Sequence, residues 1–339
     1  MAIKIAIVGL GGRGQDWVRE VRASPAYELA ACVETEPAVL QSVGAKLQIS
    51  ARHRFPNLEQ ALDQVACQAV IVATPVDCHV TSCEEALSRK LAVLVEKPFT
   101  LRLNEAVELV SLAEATNTPL LVAQNYRYMR SFRTARRLIQ EGQLGNVGMV
   151  VMQYYRVPHE MAASLAKLPN SVIWGMGVHH LDVIRFILGK EATGVRADSF
   201  TAPWGHLPRG ASFHAMLSMA DEARVFYSAT YESSGHEFFE RGQEFYARFV
   251  GERATLHIFQ RWVVLCEKGK LPRIVRRGPR KISEERILLD QLERALLNGE
   301  APDSSGRDNL QTMAIVEACL LSAADRTWVN PQELLLESK

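Results

Sequence analysis

Short unbroken apolar runs alternate with amphipathic stretches along the first 123 residues. Ile3 to Val8 is such a run and ends in glycines, the pattern of a strand buried on both faces. Trp17, Val18 and Val21 then recur at helical spacing as far as Pro25. Leu29 to Val33 predicts a second strand and Pro37 to Leu47 a second helix. Gln68 to Ala73 is another buried strand, stopped by Thr74-Pro75, and a helix from about Cys78 to Ser88 leads to the strand Leu91 to Val95. A helix from about Leu103 to Thr116 and a strand Leu120 to Ala123 complete the series. Strands alternating with helices of ~10–15 residues predict a doubly wound parallel sheet, which binds ligands at the carboxyl ends of its strands.

The pattern changes beyond about Gly145. Val147 to Tyr155, Thr193 to Phe200, Ser212 to Met219, Arg224 to Tyr231, Phe245 to Val250, Thr255 to Phe259 and Trp262 to Cys266 are strand-like, with one embedded helix from Val172 to Leu188. Hairpin turns are predicted at Ala220-Asp221-Glu222 and Gly251-Glu252-Arg253. Helices over about Glu284 to Asn298 and Asp308 to Ala324 close the chain. The predicted class is therefore α/β: a doubly wound domain over 1–123, then an α+β domain with a mostly antiparallel sheet over 124–339, onto whose predecessor the late helices can pack back.

Composition adds limits. The 339 residues carry 39 basic and 38 acidic side chains, too balanced for a dedicated nucleic-acid binder, and are 47% hydrophobic, too apolar for disorder. The six cysteines form no CxxC pair and no zinc spacing, so no metal is expected. No run approaches the ~18 apolar residues of a membrane span. Met1 leads directly into a strand pattern without a basic leader, and a cytoplasmic protein is expected.

The loop Gly9-Leu10-Gly11-Gly12-Arg13-Gly14 follows a strand and opens a helix, the context that gives GxGxxG its meaning. Gly9 permits the tight turn, Gly11 lets the backbone approach a pyrophosphate, and Gly14 allows close helix–strand packing. The helix start offers unpaired N–H groups to the phosphates. Glu34 lies 20 residues after Gly14 at the end of the second strand, where a carboxylate accepts from the adenosine ribose and repels a 2′-phosphate. NAD is favoured over NADP on that ground. Glu36 starts the next helix and reads as solvated.

Several blocks together resemble the Gfo/Idh/MocA family of NAD(P)-dependent oxidoreductases. They are the glycine loop, Ala73-Thr74-Pro75 with His79, Glu96-Lys97-Pro98, Gln124-Asn125-Tyr126-Arg127, Glu141 to Gly145, Gly177-Val178-His179-His180-Leu181-Asp182 and Ser305 to Asn309, in matching order over nearly the whole chain. The resemblance implies redox chemistry on sugars, inositols or related polyols, and a homodimer or homotetramer formed through the open sheet. It places Gly12, Arg13, Thr74, Pro75, His79, Glu96, Lys97 and Asn125 at the cofactor and makes Lys97 and His179 the catalytic pair.

The chemistry suits those two residues. Oxidising a secondary alcohol removes a hydride to nicotinamide and a proton from the hydroxyl, so a positioned acid/base is required. A lysine starts at ~10.4 and burial lowers it toward neutrality, while imidazole at ~6.5 can relay a hydroxyl proton. A solvated lysine at a strand end is the plainer alternative for Lys97, and a core histidine is the plainer role for His180. Asp182 reads as structural, and a His-His-x-x-Asp metal site is disfavoured because its members do not share one helix face.

One position departs from the family pattern: Gly175 stands one turn before His179, where many members carry an Asp. Either Lys97 and His179 suffice, another acid such as Glu160 substitutes, or dehydrogenase activity is altered or lost. Softer substrate candidates are Tyr126, Arg127, Tyr154, Tyr155, Arg156, His159, Trp174 and His180. Ser233 to Gly242 is aromatic enough for a lid or subunit contact, and the basic stretch Lys268 to Lys281 reads as a solvated loop. Three functions follow: an NAD-dependent polyol or sugar dehydrogenase with substrate held between the domains, an NAD-binding sensor without turnover, and a glycosidase assisted by NAD.

Overall fold

The structure, a computed structural model, describes residues 2–157, 167–205, 207, 210–234, 243–259, 262–278 and 282–338. It divides into two compact units. The first is Met1–Asn125 with Ile282–Leu310 and the second is Tyr126–Lys281 with Gln311–Lys339. The chain passes from the first unit to the second after Asn125, and the segment carrying the helix Glu284–Asn298 belongs to the first unit.

The first unit is built on six strands: β1 (Ile3–Val8), β2 (Tyr27–Val33), β3 (Arg54–Phe55), β4 (Ala69–Val72), β5 (Ala92–Val95) and β6 (Leu120–Val122). Their order is β3-β2-β1-β4-β5-β6, and every pair is parallel. β4 and β5 are buried throughout, as expected of strands covered by helices on both faces. The chain reverses its winding at β1, between β2 and β4, so the loop after β1 opens at the topological switch point. The returning segment pairs with this sheet: the Val122 N–H donates to Ser304 O (2.8 Å), and Tyr27 Oη donates to Leu289 O (2.5 Å). β3 and the helix Leu58–Gln64 are too short to show a period and were not expected.

The second unit has eight strands: β7 (Val147–Arg156), β8 (Ala192–Phe200), β9 (Ser212–Met219), β10 (Arg224–Thr230), β11 (Gln243–Gly251), β12 (Ala254–Phe259), β13 (Trp262–Glu267) and β14 (Arg273–Ile274). The order is β14-β13-β12-β11-β7-β10-β9-β8, antiparallel except where β7 lies parallel to β10. The two predicted hairpin turns join β9 to β10 and β11 to β12. Alternate residues of β9 and β10 are buried, so one face of the sheet carries the core and the other is open. The helix Arg130–Gln140 was not expected. It buries Phe132, Ala135 and Leu138, three apart and separated by arginines that mask the period.

The predicted helix Val172 to Leu188 is two pieces: a π-helical turn Ile173–Gly177 holding Gly175 and Gly177, then the α-helix Val178–Leu188. Gly189 ends it in the left-handed conformation (φ 64°). Among the described residues, no helix is long and apolar enough to cross a membrane.

Candidate active site

In the first unit the glycine loop is shaped by contacts that only glycine allows. Gly9 has φ +87°, and a Cβ there would stand 2.6 Å from Ala73 O. A Cβ on Gly14 would stand 1.9 Å from Gly9 O, so the helix Gly12–Arg22 is pressed against the turn that precedes it. Gly11 and Gly12 differ: an added Cβ on either would meet nothing within 4 Å. The loop therefore presents bare backbone to open space at a helix N-terminus, which fits a pyrophosphate. The Thr74 hydroxyl, at the end of β4, is buried without a partner among the described residues and is a second polar group available to a cofactor there.

Glu34 reaches back to this loop. One carboxylate oxygen accepts from the Leu10 N–H (2.9 Å) and the other from the Glu36 N–H (3.2 Å). A carboxylate has about four acceptor sites, so capacity for ribose hydroxyls remains. Arg13, expected at the cofactor, is tied to two carboxylates, Glu96 (2.8 Å) and Glu285 (3.1 Å). Glu96 is buried and also accepts from the Trp17 indole N–H (2.9 Å). Asn125 donates to Glu285 (3.1 Å). Glu285 was missed in the sequence because it lies some 270 residues from Arg13, with no local motif to mark it.

His79 is buried, with one ring nitrogen near Pro98 O and Phe99 O and the other near Thr74 O (3.0, 3.1 and 3.1 Å). It pins the Thr74-Pro75 turn to the Lys97-Pro98-Phe99 segment, and desolvation lowers its pKa. Lys97 follows β5, and the Lys97–Pro98 bond is cis. Burial around its ammonium lowers its pKa to about 8, against the raising effect of Glu96 and with a smaller lowering by Arg13. Desolvation dominates because the carboxylate beside it is itself shared with Arg13 and Trp17.

The second unit gathers a different set. The Tyr126 ring stacks on the His179 imidazole, centroids 4.0 Å apart and planes 11° apart. Arg127, expected to line the cleft, is buried and forms a two-armed pair with Asp182, 2.6 Å on each arm. Asp182 also accepts from the Thr312 hydroxyl (2.8 Å), and Arg185 joins the cluster through Thr312 and Glu191 (2.9 and 2.6 Å). His180 sits among Tyr126, Tyr154, Tyr227 and Phe245, with its Nδ1 2.9 Å from the Tyr227 hydroxyl. That is a core position. Trp174 is likewise buried, in the π-helical turn.

Strand alternation separates the other candidates. Tyr154 and Arg156 fall on the helix-covered face of β7, whereas Tyr155 falls on the open face, its hydroxyl 3.2 Å from Ser228 Oγ. Tyr155 is therefore not brought together with His179. His159 and Glu160 lie outside the described residues, as do positions 235–242 of the aromatic segment and 279–281 of the basic one. Within the rest of that basic stretch, Lys270 and Arg273 pair with Glu267.

Family models match both parts of the chain. The NAD-binding Rossmann-fold model of the Gfo/Idh/MocA oxidoreductase family covers residues 3–124, and a C-terminal domain model of the same family covers 132–271. The chain belongs to the Gfo/Idh/MocA oxidoreductase family. It is 22% identical over 348 residues to a D-apiose dehydrogenase of Paraburkholderia graminis, spanning 99% of this chain and 91% of that protein. An inositol 2-dehydrogenase of Rhizobium meliloti is 26% identical over 197 residues, 58% of each chain. Among solved structures, an oxidoreductase from Agrobacterium radiobacter, in complex with NAD+, L-tartaric acid and magnesium, has the same fold (TM-score 0.87, 22% identity, 98% of this chain and 100% of that one). This member of the Gfo/Idh/MocA family is an oxidoreductase with an NAD-binding Rossmann domain, and the glycine loop above lies within the residues that the Rossmann-fold model covers.

Proposed function

We propose that the chain is an NAD-dependent dehydrogenase that interconverts a secondary alcohol and its ketone on a cyclic polyol, sugar or sugar derivative. The observation that carries this is Lys97, an ammonium at the carboxyl end of β5 whose burial brings its pKa to about 8. An amine poised there can take the hydroxyl proton and return it at neutral pH. His179, held flat against Tyr126, is assigned as the second group able to carry a proton. A bound nicotinamide dinucleotide supplies the hydride acceptor. Glu34 at the end of β2 favours NAD over NADP, because a carboxylate facing the ribose repels a 2′-phosphate. The relatives named D-apiose dehydrogenase and inositol 2-dehydrogenase support the substrate class.

The test is NAD and NADP reduction against a panel of polyols and sugars with wild type, Lys97→Ala and His179→Ala. Undiminished turnover in both variants would sink the assignment. Tight NAD binding without turnover on any substrate would favour a sensor, and sugar release without net NADH would favour a glycosidase.

A homodimer or homotetramer through the open sheet face belongs to the same proposal. That face exposes Met149 and Phe226 and holds a depression of about 480 Å³ lined in part by Val151 and Met216. Apolar side chains grouped on an open sheet face are more economically covered by a partner than by water.

A further inference from the structure

Buried arginines in the second unit come with carboxylates: Arg127 with Asp182, and Arg185 with Glu191. Arg156 is the contrast. It is the last residue of β7, on the face that carries Met152 and Tyr154. Its Nε is fully buried and has no acceptor among the described residues, and no carboxylate among them pairs with its guanidinium. Its neighbours are phenols. Burial pushes Tyr154 up to about 12 and raises Tyr231 further, and in both cases Arg156 pulls the other way.

The carboxylate that could have neutralised Arg156 is turned elsewhere. Ser233 N–H donates to Arg156 O (3.0 Å), so the segment after β10 runs beside Arg156 and brings Glu232 near in the chain. Glu232 is buried, but it accepts from the Ala202 N–H (2.8 Å) and the Ser212 hydroxyl (3.0 Å) and backs onto Gly205, where a Cβ would meet it at 1.7 Å. The turn Ile173–Gly177 ahead of His179 carries no ionisable side chain either. Tyr154 lies 5.1 Å from His180, and Tyr126 joins His180 to the His179 stack, so Arg156 and His179 belong to one aromatic cluster. Among the described residues, that cluster holds one positive charge without a counter-ion. A half-buried guanidinium in that state is stabilised when an anion arrives.

We propose that Arg156 selects an anionic substrate: a polyhydroxy acid whose carboxylate pairs with the guanidinium while its secondary alcohol lies at His179. This rests on His179 serving the reacting alcohol. A carboxylate fits better than a phosphate ester, because one uncompensated cation matches one negative charge whereas a phosphate carries about two.

The experiment is calorimetric binding of D-gluconate and D-glucuronate, against D-glucose, myo-inositol and D-glucose 6-phosphate, to the NAD-loaded protein as wild type, Arg156→Lys and Arg156→Gln. The acids are expected to bind wild type at least ~10-fold more tightly than the neutral compounds, a difference of ~1.4 kcal/mol. Arg156→Gln should erase that preference, with NAD affinity unchanged as the folding control, and Arg156→Lys should keep part of it. The inference is overturned if neither acid binds, if neutral compounds or the phosphate ester bind as well as the acids, or if the preference survives in Arg156→Gln. NADH formation is followed separately. An acid held through Arg156 but never oxidised would refute the dehydrogenase and leave the anion site standing, and turnover of neutral polyols indifferent to Arg156 would do the reverse.

Discussion

Tyr126 lies flat on His179, 4.0 Å between ring centroids, while the next residue, Arg127, is locked to Asp182 one turn further along the same helix. The helix and the Tyr126-Arg127 turn are joined at two points, so the imidazole cannot tilt without breaking the stack. Orientation comes from an aromatic plane where the preceding helical turn, with Gly175, provides no carboxylate.

Tyr126→Phe preserves the plane and should keep kcat/KM within a few-fold of wild type. Tyr126→Leu removes the stack and, with His179 acting as proposed, should lower it by ~10- to 100-fold, since misplacement of a reacting group by about 1 Å can cost that much. The histidine ring resonances in NMR spectra of the two variants provide a readout independent of turnover. Equal losses in both variants would show that the hydroxyl matters rather than the stack.

With Lys97 as the proposed base, alcohol oxidation would require its neutral form, so kcat/KM should rise with pH through about 8 and level off above it. Lys97→Arg stays protonated throughout and should lack both the limb and most of the activity. The same shift bears on stability. The folded chain releases this proton at about 8 and the unfolded chain only near 10.5, so the cost of the buried ammonium is full below the first value and gone above the second. Stability should therefore rise across that window by more in wild type than in Lys97→Met, as measured by urea unfolding at stepped pH.

Asp182 neutralises Arg127 and accepts from Thr312 in a fully buried setting. Asp182→Asn removes the carboxylate charge that faces the buried Arg127 guanidinium, and breaking a buried pair from one side costs ~3–5 kcal/mol in comparable cases. Chemical denaturation should register a loss of that order, and an unchanged midpoint would mean that the network contributes nothing to stability.

Glu34→Ala removes the bond to the Leu10 N–H and, on the proposed function, the acceptor for the ribose hydroxyls. NAD affinity should fall, and the NADP-to-NAD ratio of kcat/KM should rise by roughly 10-fold. Steady-state kinetics with both cofactors decides it, and a ratio that does not move would remove Glu34 from cofactor choice.

Phe226→Asp places a charge on the open sheet face and should shift the protein to a smaller species in light scattering without altering NAD affinity. A mass unchanged from wild type would place the subunit contact elsewhere or show that none exists.

Much of the first unit was legible in the chain because its determinants are local. The run Ile3 to Val8, the glycine loop and Glu34 each declare themselves within about 30 residues, and a parallel sheet imposes unbroken apolar strands. The edges were harder. Two-residue strands such as Arg54–Phe55 have no period to read, and the helix Arg130–Gln140 hides its apolar face among arginines.

The sequence by itself determined the class of fold, the place of the glycine loop between a strand and a helix, and which ionisable residue types lie near it, since each depends on periodicity or on the chemistry of a few adjacent positions. Only the tertiary structure decided how those side chains are engaged. Arg13 is tied to Glu96 and Glu285, Arg127 to Asp182, and Tyr155 lies on the opposite face from Tyr154, while Arg156 keeps no carboxylate among the described residues. Charge pairing, stacking and burial depend on which distant segments meet, and a guanidinium looks the same in the sequence whether a carboxylate some 270 residues away reaches it or not.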